Sequence, residues 1–350
     1  MLRLKLLVAG ASSKFFHLQE FCHSLNRLDC ETRLVHDVDV YSGFPSRNIR
    51  KWFETKKKFN NLINEFKPDG IFIDRHANFG LAALKSNIPL YVHLRGDYWS
   101  EIQWAKETLY RFPVKRSVLW IKDRMARQIF QDCKQIFPIC NYLKNIVDFH
   151  HPNKSNVMYQ GIDPSKWFPA EGCTLKHPCV GLLQGAVIWG KAREMYTLKK
   201  VLEAMPEVTF YWVGDGPYRE KILQELKKFP NFKWLGALDY PDKVREYLSE
   251  IDVYALVSGI DMSPLTLQEA QLMQKPVVAT NVGGIPEIMK NNETGYLINV
   301  GDYNALIKYL TILLNDSKKS KLMGNAGRKF VECNFHWDKI GKDFLKNIKI

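Results

Sequence analysis

The chain has 350 residues, 46% of them hydrophobic, and a formal net charge of +13. That length supports two domains with real cores, and the composition excludes a disordered chain. Seven scattered cysteines without a Cys-x-x-Cys pair argue against structural zinc and for a reducing compartment, and no apolar run approaches the ~20 residues that cross a bilayer.

The charge is uneven. Residues 1–160 hold 25 Lys and Arg against 15 Asp and Glu, whereas residues 161–350 hold 25 against 22. A basic first half fits a polyanion, an anionic substrate, an anionic membrane surface, or plain solubility.

The opening MLRLKLLVAG reads as a first buried strand, Leu4 to Ala9, rather than a signal peptide. Its apolar run is brief and flows into a glycine turn. Gly10 opens the next loop, as a turn residue or as part of a phosphate cradle, and Phe15 to Leu28 suits a helix. Thr32 to Val38 is a strand. Arg47 to Phe66 reads as one basic helix with an apolar stripe of Ile49, Trp52, Phe53, Phe59, Leu62, Ile63 and Phe66. Lys56, Lys57 and Lys58 interrupt it, as a solvated end or as contacts to phosphate or lipid headgroups. Ile71 to Asp74 is a strand with Arg75 and His76 at its carboxyl end. A short helix covers 79–86, and Pro89 to His93 is the next strand.

Residues 99–130 hold three Trp and seven basic residues against three acidic ones. They read as two helices broken at Pro113. Aromatics beside cations suit peripheral membrane contact, or a helix beside a ligand cleft. The chain lacks a nucleic-acid recognition motif, so nucleic acid is not an expected partner. Lys134 to Pro138 is the last strand of this half. Asn141 to Phe149 follows as a helix and Asn156 to Tyr159 as a short edge strand. Residues 170–178 read as a proline-bounded linker.

The second half repeats a strand–helix rhythm. Strands are expected at Pro178–Leu183, Val208–Val213, Phe232–Leu235, Asp252–Val257, Pro276–Thr280 and Gly295–Ile298. Helices are expected at Thr197–Ala204, Tyr218–Lys228, Asp242–Ser249, Pro264–Met273, Pro286–Asn291, Tyr303–Leu314 and Lys318–Cys333, with a helical tail from Ile340. In the helix at 264–273, Ser263 is the expected N-cap and Pro264 the first helical residue. Asp261 lies on the loop before that helix and Glu269 lies within it. The free N–H groups of Leu265 and Thr266 make a natural seat for a phosphate, while carboxylates suit neutral hydroxyls. A sugar–nucleotide diphosphate would use both.

The stretch from Asp252 to Glu287 resembles the donor site of the retaining glycosyltransferases of family four. An acidic residue, Asp261, precedes Glu269 by eight positions; Pro276 to Ala279 and Gly283 to Glu287 follow. Gly214-Asp215-Gly216-Pro217 and the Gly161-Ile162-Asp163 segment also match that family. The resemblance implies an α/β protein of the GT-B fold, with two Rossmann-like domains facing across a cleft. Residues 1–160 plus a C-terminal helix at about 337–350 would hold the acceptor, and 161–336 the donor. It implies that Glu269 holds the ribose hydroxyls and that Asp261 faces the transferred sugar. His93 would reach that sugar from the first domain, or be a strand-end histidine bonded to backbone. Lys191 and Arg193 would pair with the diphosphate, and Gly10, Gly214 and Gly216 would lie on cleft loops. No metal and no cofactor are implied. The implied enzyme is a metal-independent, retaining hexosyltransferase. Its donor is a UDP- or GDP-sugar, and its acceptor a glycan or an anionic, lipid-linked molecule. Its expected place is the cytoplasm, at the inner face of a membrane.

The sequence departs from the pattern. The first acidic residue is Asp261 where Glu is usual, Met262-Ser263-Pro264 replaces Gly-Phe-Gly, and Gln274 replaces a glycine at the helix end. Ala11 replaces the second of two glycines, and an Arg usual after the strand at 178–183 is missing. These departures leave a catalytically silent nucleotide-sugar binder, or a scaffold subunit of a glycan assembly, as the alternative.

Overall fold

In the computed structural model the described residues are 3–46, 48–107 and 110–348. Arg47 at the start of the expected basic helix, residues 108–109 within the Trp-rich run and residues 349–350 of the tail lie outside them. The chain divides into two compact units. One runs to Ile162 and resumes at Trp337; the other is Asp163–His336.

The first unit is built on five parallel strands: β1 (Leu4–Gly10), β2 (Cys30–His36), β3 (Gly70–Asp74), β4 (Leu90–Leu94) and β5 (Gln135–Pro138), in the order β2-β1-β3-β4-β5. β3 and β4 are buried along their whole length, as continuous apolar runs in a sheet covered on both faces must be. The order reverses between β1 and β3, which makes their carboxyl ends the natural ligand end. The helix Trp337–Asn347 returns to this unit and lies on the first helix, Phe15–Arg27. Ser24 Oγ donates to the Trp337 carbonyl (2.9 Å) and Trp337 Nε1 donates to Glu20 Oε2 (2.8 Å). Phe344 joins Phe21, Phe72 and Tyr91 in the core. A side chain at Gly161 would meet the Trp337 ring at 2.3 Å, so glycine is required where the chain passes that ring.

The second unit carries six parallel strands: β6 (Cys179–Leu183), β7 (Thr209–Val213), β8 (Phe232–Gly236), β9 (Val253–Leu256), β10 (Val277–Thr280) and β11 (Gly295–Ile298), in the order β11-β10-β9-β6-β7-β8. Chain order reverses between β6 and β9, so the switch point lies there.

Several expected elements change. The basic helix expected from Arg47 is two pieces, a 3-10 turn Ile49–Phe53 and a helix Lys57–Phe66. Glu54 is extended between them, its carboxylate accepting from the Ser42 N–H (3.0 Å) and from Lys51 (2.8 Å). The expected stripe breaks with it. Phe59, Leu62 and Phe66 are buried, whereas Ile49 and Phe53 are 65% and 87% exposed. The expected edge strand Asn156–Tyr159 runs along β5 by single bonds, Asn156 N to Ile136 O and Met158 N to Pro138 O, without a strand of its own. The expected helix from Pro286 to Asn291 is only the turn Ile285–Glu287. Beyond it the Thr294 hydroxyl takes the Lys290 N–H (2.9 Å), and Asn292 is left-handed.

Candidate functional site

The loops that leave β6, β7, β9 and β10 meet at the carboxyl end of the second sheet, and main-chain contacts fix them. Gly214 (φ +155°) and Gly216 (φ +148°) lie so close to the loop after β6 that a Cβ would stand 2.1 Å from the Gln184 carbonyl oxygen and 2.5 Å from that of Ala186. The Ala186 N–H donates to the Asp215 carbonyl at 2.9 Å. The buried Gln184 side chain bridges the switch point, donating to the Val257 carbonyl (2.9 Å) and accepting from the Val257 N–H (3.2 Å). On the other side, Gly283 is left-handed at φ +55°, and a Cβ there would stand 2.1 Å from the Asp261 carbonyl oxygen. The Gly284 N–H donates to that same carbonyl at 2.9 Å. The two-glycine turn after β10 thus holds the acidic loop after β9.

Lys191, on the short helix Trp189–Ala192 after β6, forms an ion pair with Asp261. Residues seventy positions apart are therefore neighbours, because their strands flank the switch point. The helix Leu265–Leu272 starts just past Asp261. Its cap differs from the expected one. Pro264 is the N-cap residue, in extended conformation, and makes no side-chain capping bond. The Ser263 hydroxyl is buried without a partner among the described residues. Leu265 and Thr266 follow as the first residues of the helix, whose leading N–H groups point away from the ladder. Tyr254 OH donates to the Leu183 carbonyl at 3.2 Å and is hydrogen-bonded to the Thr266 hydroxyl at 2.9 Å.

Glu269 is buried, 2% exposed, on the inner face of this helix. Burial pushes its carboxyl up to about 8, against the opposing pull of a hydrogen bond with Tyr240. Desolvation disfavours the charged form, so near neutral pH this carboxyl holds its proton and can both donate and accept. The cluster therefore combines a cation, a carboxylate, a helix start suited to an anion and a buried carboxyl suited to hydroxyls. Arg193 stands two residues past Lys191, exposed and with no ion pair among the described residues.

A sequence model of the family described as "Glycosyl transferases group 1" matches residues 192–316, most of this unit. The chain has a GT-B-like α/β fold, and its residues 192–316 resemble the group 1 glycosyltransferases. It is 31% identical over 151 residues to the sulfoquinovosyl transferase SQD2 of Arabidopsis thaliana, covering 42% of this chain and 29% of that protein. It is 30% identical over 199 residues to the N-acetyl-alpha-D-glucosaminyl L-malate synthase of Bacillus anthracis, covering 54% and 52%. The match thus spans about half or less of either relative. Among solved structures, Anabaena HepE in complex with UDP-glucose superposes with a TM-score of 0.69 at 14% identity, covering 98% of both chains. At that identity the likeness concerns the GT-B fold alone.

In the first GT-B domain the expected residues take other places. A side chain at Gly10 would meet Leu18 Cδ1 at 2.4 Å and Asp74 Cβ at 3.2 Å, so Gly10 lets β1 close against its neighbours. His93 is 1% exposed. Its Nε2 lies 3.3 Å from the Met158 carbonyl and its Nδ1 3.5 Å from Asp74. That is the strand-end histidine bonded to backbone, enclosed in its own unit rather than presented to a ligand. Arg95 donates to Asp74 (2.6 Å) and to Gln160. Asp97 caps the helix Tyr98–Glu107, accepting from the Trp99 and Ser100 N–H groups at 3.2 Å.

What lies open at this carboxyl end is a cavity of about 400 Å³. Asp37, just past β2, His76, just past β3, and Tyr41 line it, with Lys122 and Met125 of the helix Pro113–Asp132 on the far wall. Burial lowers His76 to about 4, with the Arg75 charge adding to the effect, and leaves a neutral imidazole whose Nδ1 has no partner among the described residues. Burial also raises Asp37. Arg75 itself adopts φ +68° and donates to Glu101 at 2.7 Å, strain of the kind that collects at functional sites. Sequence reading placed Arg75 and His76 at a strand end. It had no signal for Asp37 or Lys122, which only the folded chain brings to one cavity. Among the described residues one group is spaced to hold a metal: His177, Cys179 and Asp252, at the amino ends of β6 and β9, the opposite end of that sheet from Lys191 and Asp261. There His177 already bridges Asp252 (2.8 Å) and Glu250 (3.2 Å).

Proposed function

We propose that the protein is a retaining, metal-independent glycosyltransferase that moves a hexose from a UDP- or GDP-sugar to a glycan or lipid-linked acceptor at the inner face of a membrane. The observation that carries this reading is the convergence of Lys191, Asp261, Glu269 and the helix start at Leu265 and Thr266 on one switch point. In this reading the second unit holds the donor. Glu269 takes the ribose hydroxyls, and Lys191 leaves Asp261 to meet the diphosphate. Fixed positive charge and helix N–H groups stabilise the leaving diphosphate as its charge grows. Asp261, released from Lys191, faces the transferred sugar. The acceptor enters from the front face and gives its proton to the departing phosphate. Anabaena HepE, of like fold, has been solved with UDP-glucose, which supports a nucleotide-sugar donor. The acceptor is assigned to the Asp37–His76–Lys122 cavity of the first unit.

The test is a donor screen with UDP- and GDP-hexoses, reading nucleotide release with and without membrane extract and repeated in EDTA. Turnover should survive EDTA, and Glu269→Gln should lower it at least tenfold, about 1.4 kcal/mol of transition-state stabilisation. Nucleotide binding without turnover would make the protein a silent binder instead.

A further inference from the structure

The helix Pro113–Asp132 has two faces. Leu119, Ala126, Ile129 and Phe130 are buried against the first unit. The opposite face carries Arg116, Trp120, Arg124 and Arg127, spaced four, four and three residues apart, so they form one outward stripe. Trp120 is 61% exposed, and the Arg124 guanidinium lies 5.7 Å from its ring centre. Phe112, just before the helix, and Val114, in its first turn, are 67% and 80% exposed. Below Trp120 a cavity of about 300 Å³ opens between Lys106 and Arg116. Asp123 also lines this cavity, and its carboxylate is already engaged, accepting from Tyr98 OH (2.8 Å) and from Arg127 (2.9 Å).

We propose that this face, Phe112, Val114 and Trp120 framed by Lys106, Arg116 and Arg124, docks the protein on an anionic lipid bilayer, with a lipid phosphate in the Lys106–Arg116 cavity. The inference gives a place to the lipid-linked acceptor proposed above and rests on that reading for its purpose. Charge complementarity selects the partner. Every apolar tip here is flanked by cations, the composition of an interfacial helix. Protein interfaces lose charge at their apolar centres. A nucleic acid would stack on Trp120 yet gain little from Phe112 and Val114, which acyl chains would cover. Lys122 and Met125 of the same helix line the Asp37–His76 cavity, on the side of the helix turned away from the Arg116–Trp120–Arg124 stripe. The three lysines at 56–58 fit less well. Lys56 lies 5.9 Å from the Tyr41 ring centre and Lys58 donates to the Asp39 carbonyl (3.3 Å).

The test is flotation of the full chain with vesicles of phosphatidylglycerol and phosphatidylcholine in equal parts, against phosphatidylcholine alone. The wild type should float only with the anionic vesicles and release as salt rises from about 0.1 to about 0.5 M, where screening shortens the range of surface charge. Arg116→Glu with Arg124→Glu, and separately Phe112→Ser with Trp120→Ala, should each lower vesicle affinity about tenfold or more, as expected when charges or apolar tips leave a lipid surface. All these residues are exposed, and an unchanged circular dichroism melt verifies folding. Equal flotation with neutral vesicles, equal flotation of the variants, or no flotation alongside retention on a single-stranded oligonucleotide each overturns the proposal. Nucleotide binding is measured on the same samples. Flotation without nucleotide binding would sink the transferase reading and leave the docking face standing; nucleotide binding without flotation would do the reverse.

Discussion

The carboxyl ends of the two sheets are held in opposite ways. In the second unit, main chain packs on main chain. Gly214, Gly216 and Gly283 each bring a loop within about the width of a missing side chain of another loop's carbonyl. In the first unit side chains do the holding: Asp74 gathers Arg95 and His93, Arg75 reaches Glu101, and Asp97 caps a helix. A backbone-built end requires glycine at fixed positions and so writes a motif. A side-chain-built end can be made by many residue pairs and writes none. The difference also predicts function. The backbone-built end is rigid and suits a ligand portion common to many substrates, whereas the side-chain-built end can vary with its ligand.

The comparison can be broken at its strongest point. Gly283→Ala should cost about 4 kcal/mol in urea unfolding, from a left-handed residue and a backbone clash together. It should also abolish nucleotide binding by calorimetry. A tolerated alanine with normal binding would show that the turn does not hold the acidic loop. On the other unit, Asp74→Asn strands the Arg95 guanidinium and should cost about 3 kcal/mol. Asp74 is held well below the usual carboxylate range by His93 and Arg95 despite the upward push of burial. Its stabilisation is therefore present above the unfolded carboxylate range and lost on acidification. Nucleotide affinity should stay at the wild-type value, and a parallel loss would show that the two ends are not independent.

Glu269 sharpens the contrast with pH. Its folded value of about 8 lies above the unfolded value of 4.5, so the bound proton favours the folded state. The Glu269 contribution to ligand-free stability should be fully present in mild acid and fall as pH rises, by roughly 2–3 kcal/mol between about pH 5.5 and about pH 7.5. Glu269→Gln should flatten that slope in urea melts taken across the range. The smallest effect is expected at Gln274, which is exposed and left-handed at φ +57°. Gln274→Gly should raise stability by about 1 kcal/mol, and a measured loss would mean the side chain carries an interaction of its own.

Much of the architecture was legible because it depends on local signals. Period and punctuation place the eleven strands seen among the described residues within two residues of their observed bounds, and Pro113 opens the second helix of the Trp-rich run as expected. The readings that failed turned on side-chain partners and cap geometry that the pattern of residues does not show. The helix expected from Arg47 breaks because Glu54 is held by Ser42 and Lys51. Ser263 does not cap because Pro264 takes the cap position. For His93 the sequence left two places open, facing a sugar or bonded to backbone at the strand end, because Asp74 and the Met158 carbonyl, which enclose it, come from other strands and loops.

The sequence alone therefore determined most of the elements, the glycine turns and the order of the Asp261–Glu269 loop and helix, since propensity and backbone sterics act within a few residues. Tertiary structure decided which of those residues meet. Lys191 finds Asp261 only because β6 and β9 are neighbours, and Glu269 becomes a neutral acid only because the folded core excludes water from it. Pairing across a sheet and desolvation are properties of the assembled chain, and no window of sequence contains them.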